Sequence, residues 1–164
     1  MPKSYRFNRQ DFEELTQEVL QHPDLRDIPG YYRDPASGFW ILESGDKYVG
    51  LIAIDSTQLA KDNSKEDKKA PKTAVLRHFH VEEPYRKVKA QDDLLKFALD
   101  HAFKSDPKLE RIEAKDSPLI PYLRDCLRAQ GFELDHHTKQ VGLRKWKLGV
   151  RYLERERWTK NQKA

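Results

Sequence analysis

The sequence predicts an α/β fold (α+β in its mixed sheet), a central sheet flanked by helices, on three observations. The hydrophobic patterns run helix, strand, strand, strand, helix, strand, helix, strand, strand. The strand–helix–strand unit in the middle of that order requires parallel pairing, because parallel strands need a crossover connection. The hairpins at either end require antiparallel pairing, so the sheet is mixed. At 164 residues the chain is one domain of ordinary size. Residues 1–158 are read as that domain, 56–72 as a flexible charged loop within it and 159–164 as a disordered tail.

The first helix spans about Asn8 to Gln21, with Asn8 as its cap and Phe12, Leu15, Val19 and Leu20 at helical spacing. Pro23 stops it, and an irregular stretch through Pro29-Gly30 and Pro35 carries Tyr31 and Tyr32. Two short apolar runs, Gly38 to Glu43 and Lys47 to Ile54, flank the tight turn at Gly45-Asp46 and make a hairpin. Residues 61–69 contain no hydrophobe, which suits a surface loop. Thr73 to Val81 is a third strand. A helix follows from about Ala90 to Lys104, with Leu94, Leu95, Ala98, Leu99, Ala102 and Phe103 inward. Leu109 to Ala114 is a fourth strand. Ser117-Pro118 opens a helix to about Gln130, and Gly131 suits its C-terminus. Phe132 to Leu134 starts a fifth strand. The last strand alternates, with Trp146, Leu148, Val150 and Tyr152 on one face and Lys147, Gly149 and Arg151 on the other.

Composition narrows the function classes. Hydrophobic residues make up 37% and charged residues 35%, and no apolar stretch approaches the roughly 20 residues of a spanning helix. Residues 1–15 lack the apolar run of a secretory signal. The single cysteine, Cys126, excludes a disulfide framework and suits a reducing compartment. A formal charge of +4 is short of a nucleic-acid footprint, and no nucleic-acid motif is present. The basic residues gather late, at Arg144, Lys145, Lys147, Arg151, Arg155, Arg157, Lys160 and Lys163. That segment is either a solvated face or a surface for anionic headgroups.

The element order, with the residues at three joints, resembles the GNAT acetyltransferase superfamily. The hairpin Phe39-Trp40-Ile41-Leu42-Glu43 and Tyr48-Val49-Gly50-Leu51-Ile52-Ala53 is similar to the family's second and third strands. Phe79-His80-Val81-Glu82-Glu83-Pro84-Tyr85-Arg86 resembles its fourth strand and cofactor turn, and Gln130-Gly131-Phe132 the end of its last helix. Asp27-Ile28-Pro29-Gly30-Tyr31-Tyr32 is particularly similar to the membrane-anchored, camello-like branch. The resemblance implies acetyl-CoA as cofactor and acetyl transfer to a primary amine. It places the cofactor at Val81, Arg86, Lys87, Val88, Lys89, Ala90 and Gln91, with Val81 backbone groups on the pantetheine and the amides of Val88 to Gln91 on the pyrophosphate. His80 or Glu82 is then the base.

The chain departs from the family pattern at several residues. Lys89 and Gln91 stand at the two small-residue positions of the family's loop, where two long side chains are expected to crowd the pyrophosphate. Where the family often has an acidic tyrosine, four residues before the glycine, stands Leu127; Tyr122, five residues earlier, is read as a packing residue. His78 and His80 share a strand face that His136 and His137 are placed to approach, but without the carboxylate or cysteine spacing of a metal site, so none is expected. Cys126 reads as a buried structural thiol, and Trp40 and Trp146 as core or sheet-face residues.

Two readings follow. One is the acetyltransferase. The other is a catalytically silent interaction or assembly module with a protein partner, its degenerate loop having lost acetyl-CoA. That module would be the soluble part of a protein tethered to the cytoplasmic face of the endoplasmic reticulum, resting on anionic lipid through the basic last strand. Only Met1 to Phe7 remains for the family's opening strand, so truncation and a compact variant both stay open.

Overall fold

A computed structural model describes residues 16–57 and 71–164. The capping and first turns of the expected Asn8–Gln21 helix, and most of the charged loop, lie outside these residues; residues 16–20 are helical. A single 3₁₀ turn, Pro23–Leu25, leads to a one-turn helix α1, Ile28–Tyr31. Then come β1 Gly38–Ser44, β2 Lys47–Asp55, β3 Thr73–Val81, the one-turn helix α2 Glu83–Arg86 and α3 Ala90–Ser105. The remainder is β4 Arg111–Asp116, α4 Pro121–Ala129, β5 Glu133–Val141, β6 Trp146–Glu154 and α5 Arg155–Lys163.

The six strands form one sheet in the order β1-β2-β3-β4-β6-β5, with β3 and β4 parallel and the other pairs antiparallel. This is the mixed sheet that the element order predicts. α3 buries Leu94, Leu95, Ala98, Leu99, Ala102 and Phe103 against one face of the sheet, where Ile52, Ile54, Ala74, Leu76, Val81 and Ile112 meet it. Gly131, at φ 93°, takes the left-handed conformation that ends α4. The start of the charged loop is anchored: Ser56 is buried and its amide donates to Ser37 Oγ at 2.9 Å.

The C-terminal segment corrects the expected tail. Residues 159–163 continue α5, because Trp158 stacks on Phe103 at 5.0 Å and donates to Asp100 at 3.1 Å. Gln162 donates to the same carboxylate at 2.9 Å, and Asn161 to the Gln130 carbonyl at 3.1 Å. β6 differs too. It lies inside the sheet between β4 and β5, and its most buried side chain is Leu153, on the face that carries Arg151. The apolar set Trp146, Leu148, Val150 and Tyr152 is only partly covered.

Candidate functional site

The site begins where two parallel strands part. β3 and β4 pair from Thr73↔Arg111 to Leu76↔Ala114 and no further, while β3 runs on to Val81 beside β2. The cause is local. Between Leu76 and Phe79, β3 carries one residue more than β2 does between Ile54 and Ile52, a bulge at Arg77-His78. A bulge bends and twists its strand, here turning β3 away from β4. Opposite Val81, Gly50 lets the strands close up, since a Cβ there would meet the His80 carbonyl at 2.5 Å.

Val81 and Gly50 are register partners, while Glu82 N–H donates to Val49 at 2.8 Å. By antiparallel alternation the Val81 amide and carbonyl therefore face the gap left by β4. Both are held there by side chains. Val81 N–H donates to Tyr122 Oη at 3.2 Å, and Arg86 Nε donates to the Val81 carbonyl at 2.9 Å. The Arg86 guanidinium also stacks over the Tyr122 ring, 4.0 Å from its centroid. Tyr122, read from sequence as packing, is thus a residue of the gap. Counting back from Gly131 missed it, because a tyrosine in the first turn of α4 reaches β3 from another height.

Between α2 and α3 the loop keeps the shape that small residues usually give. Lys89 sits at φ 60°, the left-handed conformation glycine adopts most readily, and caps the 16-residue α3. Lys87, Val88 and Lys89 are exposed. Gln91 corrects the expected obstruction. Its side chain is buried, with Nε2 donating back to the Arg86 carbonyl at 3.2 Å, so it braces the loop from within. Its Oε1 is buried without a partner. The first-turn amides of a long helix, with two exposed lysines beside them, suit a pyrophosphate. The residues present fit acetyl-CoA.

His80 and Glu82 form a half-exposed pair at the end of β3, Nε2 to Oε1 at 3.1 Å. His78 lies on the same sheet face but is mostly buried, its Nε2 2.6 Å from Asp24. His136 and His137 do not join them, because β5 is three strands from β3. Among the described residues no cluster is arranged to hold a metal ion. Cys126 is buried, and desolvation, with Asp92 beside it, pushes its thiol well above the usual value. Such a thiol is a poor nucleophile.

α4 is fixed from below by Asp116 at the end of β4. Arg124 donates Nε and Nη2 to its two oxygens at 3.0 and 2.8 Å, and Arg151 Nε donates at 2.8 Å. Arg151 is therefore not part of a basic edge. Arg155 is spent on the Leu109 carbonyl at 2.6 Å, and Arg157 pairs with Glu133. Of the charges expected to face a bilayer, Lys145, Lys147 and Arg157 are exposed, along with Arg144, Lys160 and Lys163.

The family's sequence model, described as acetyltransferase (GNAT) family, matches residues 5–132. The chain belongs to that family, and its fold is the acyl-CoA N-acyltransferase fold of GNAT domains. No curated protein matches its sequence. Among solved structures it is similar to the spermidine N-acetyltransferase from Vibrio cholerae in complex with CoA and spermine. That likeness has 13% identity and a TM-score of 0.60, over 83% of this chain and 76% of that one. A GNAT-family acetyltransferase from Streptococcus pneumoniae is similar at 12% identity and a TM-score of 0.61, over 77% and 71%. At such identities the likeness is one of fold.

Proposed function

We propose that this domain transfers acetyl from acetyl-CoA to a primary amine by direct attack, with Tyr122 as the acid. The observation that carries this is the open edge of β3. Val81 presents its amide and carbonyl to the gap, with the tyrosine hydroxyl and the 86–91 loop at either side. Acetyl-CoA supplies the activated thioester. The amides of Val88 to Gln91 and the ammonium groups of Lys87 and Lys89 hold its pyrophosphate, and the Val81 backbone lines its pantetheine arm. Tyr122 Oη lies 3.2 Å from the Val81 nitrogen; released from it as the pantetheine pairs with Val81, the hydroxyl stays at the gap and gives its proton to the departing thiolate. The base comes from the face of β3 that carries His78 and His80. A spermine complex among the structural neighbours supports a polyamine or lysine-like acceptor.

Thiol release from acetyl-CoA with spermidine or a lysine peptide tests the reading. Turnover by the unaltered chain is expected, with kcat lowered about 100-fold in Tyr122→Phe. Absence of turnover with both acceptors would refute it.

One observation favours the silent module. Arg86 and Tyr122 already satisfy both Val81 backbone groups, so a ligand must displace them. In that reading the domain is an assembly part of a protein tethered at the cytoplasmic face of the endoplasmic reticulum. Lys89→Gly/Gln91→Gly would then leave its cellular role intact.

A further inference from the structure

On the sheet face opposite α3, the segment from His22 to Tyr32 covers a buried set of ionisable groups. Asp24 is fully buried at its centre. Its Oδ1 lies 2.6 Å from His22 Nδ1, its Oδ2 lies 2.6 Å from His78 Nε2, and the Tyr32 hydroxyl donates to Oδ2 as well. Beside it Asp55, also fully buried, takes Arg77 Nε at 3.0 Å, the Tyr31 hydroxyl at 2.9 Å and the amide of Thr57 at 2.9 Å. Burial alone would raise the Asp24 carboxyl, but the bonds from Tyr32, His78 and His22 outweigh it and hold it below its usual value.

An ionised carboxylate only accepts hydrogen bonds, so the Tyr32 hydroxyl and the His78 Nε2 that meet its Oδ2 must donate. His78 therefore carries a proton on Nε2. In the neutral ring the lone pair then lies on Nδ1, the arrangement in which a carboxylate orients a catalytic imidazole. Position gives that lone pair a use. His78 sits in the bulge at which β3 leaves β4, two residues beyond the last pair of those strands, at the mouth of the gap. His80, by contrast, is half-exposed, and its partner Glu82 is equally exposed.

We propose that His78, oriented by Asp24, is the base that deprotonates the acceptor amine; this rests on the acetyltransferase reading. An alkylammonium loses two protons as it becomes an amide. In this scheme an N–H bond of the ammonium breaks and an Nδ1–H bond forms on His78, which passes the proton to water. The C–N bond then forms as the C–S bond breaks. The second nitrogen proton leaves to solvent, balancing the one that Tyr122 gives the thiolate and regains from water. Asp24 is a positioning residue, with Tyr32 as its other donor. Among the described residues, the titratable and charged groups around His78 are Asp24, which it shares with His22 and Tyr32, and, one residue along β3, the Arg77–Asp55 pair.

The test has two arms. Nitrogen-15 NMR of the full chain labelled at histidine should show His78 at neutral pH with Nε2 protonated and Nδ1 bare, and Asp24→Asn should erase that preference. A His78 ring doubly protonated from about pH 6 to 8 overturns the proposal. The second arm compares His78→Gln with the unaltered chain on two acceptors, spermidine and trifluoroethylamine, the latter already uncharged at neutral pH. His78→Gln should lose about 100-fold in kcat with spermidine, and with it the acidic limb of the pH profile, but only a few-fold with trifluoroethylamine. An equal loss with both amines, at unchanged CoA affinity, marks a structural role and overturns the assignment. So does a larger loss of the acidic limb in His80→Gln. An inert unaltered chain that still binds CoA is a different failure, since it removes the acetyltransferase reading itself.

Discussion

Replacing Asp116 with Asn removes the charge that ties β4, β6 and α4 together. The carboxylate is 2% exposed and meets two guanidiniums, whose side chains are 28% and 13% exposed. Asn offers one acceptor oxygen, and its NH₂ confronts a guanidinium donor. Breaking a buried ion pair from one side costs about 3–5 kcal/mol. Arg124 keeps some contact with water, so about 3 kcal/mol is the better figure here. At roughly 2–4 °C per kcal/mol for a chain of this size, the melting temperature should fall by about 6–12 °C. Calorimetry on the full chain reads this directly. A second variant checks the arithmetic: Asp116→Leu with Arg124→Leu and Arg151→Leu removes all three charges together and should recover most of the loss. A melting point within about 2 °C of the parent in Asp116→Asn would refute the claim that this carboxylate fixes α4, and with it the placement of Tyr122.

Acid should destabilise the domain. In Asp24, Asp55 and Asp116 burial raises the carboxyl, but the hydrogen bonds and charges of their partners lower it further, so each folded value lies below the usual one. Their stabilisation is fully present above about pH 4 and is lost as the pH falls below it, which an acid titration followed by circular dichroism will show. Asp55→Asn should flatten part of that dependence. Trp158→Ala should cost about 2–3 kcal/mol in a denaturant titration, since it removes a half-buried indole from Phe103 and leaves Asp100 short of a donor.

The hairpin and α3 were legible because their signals are local. Phe39 to Leu42 and Val49 to Ile54 are apolar runs around a turn, and the inward residues of α3 recur at helical spacing. The last strand misled because its burial is set from a distance. Arg151 faces the helices only because Asp116, 35 residues earlier, neutralises it. α5 was hidden by composition. Trp158 is the lone large apolar residue among Arg155 to Lys163, and its partners Phe103 and Asp100 lie more than fifty residues back. Arg155, Trp158, Thr159 and Gln162 do share one helical face, which was the available signal. Near the site, the turn that carries the chain from β3 into α3 was readable from the sequence. The bulge, the inward turn of Gln91 and the reach of Tyr122 were not, since each depends on backbone geometry that spacing does not encode.

The central claim is that the gap beside Val81 and the loop from Arg86 to Gln91 together hold acetyl-CoA. Isothermal titration of the full chain with acetyl-CoA tests it most directly, without an acceptor amine. One molecule should bind per chain with Kd on the order of 10 μM, about −7 kcal/mol, after the cost of displacing Arg86 and Tyr122 from Val81. A folded sample that gives no heat with acetyl-CoA up to about 1 mM would contradict the account.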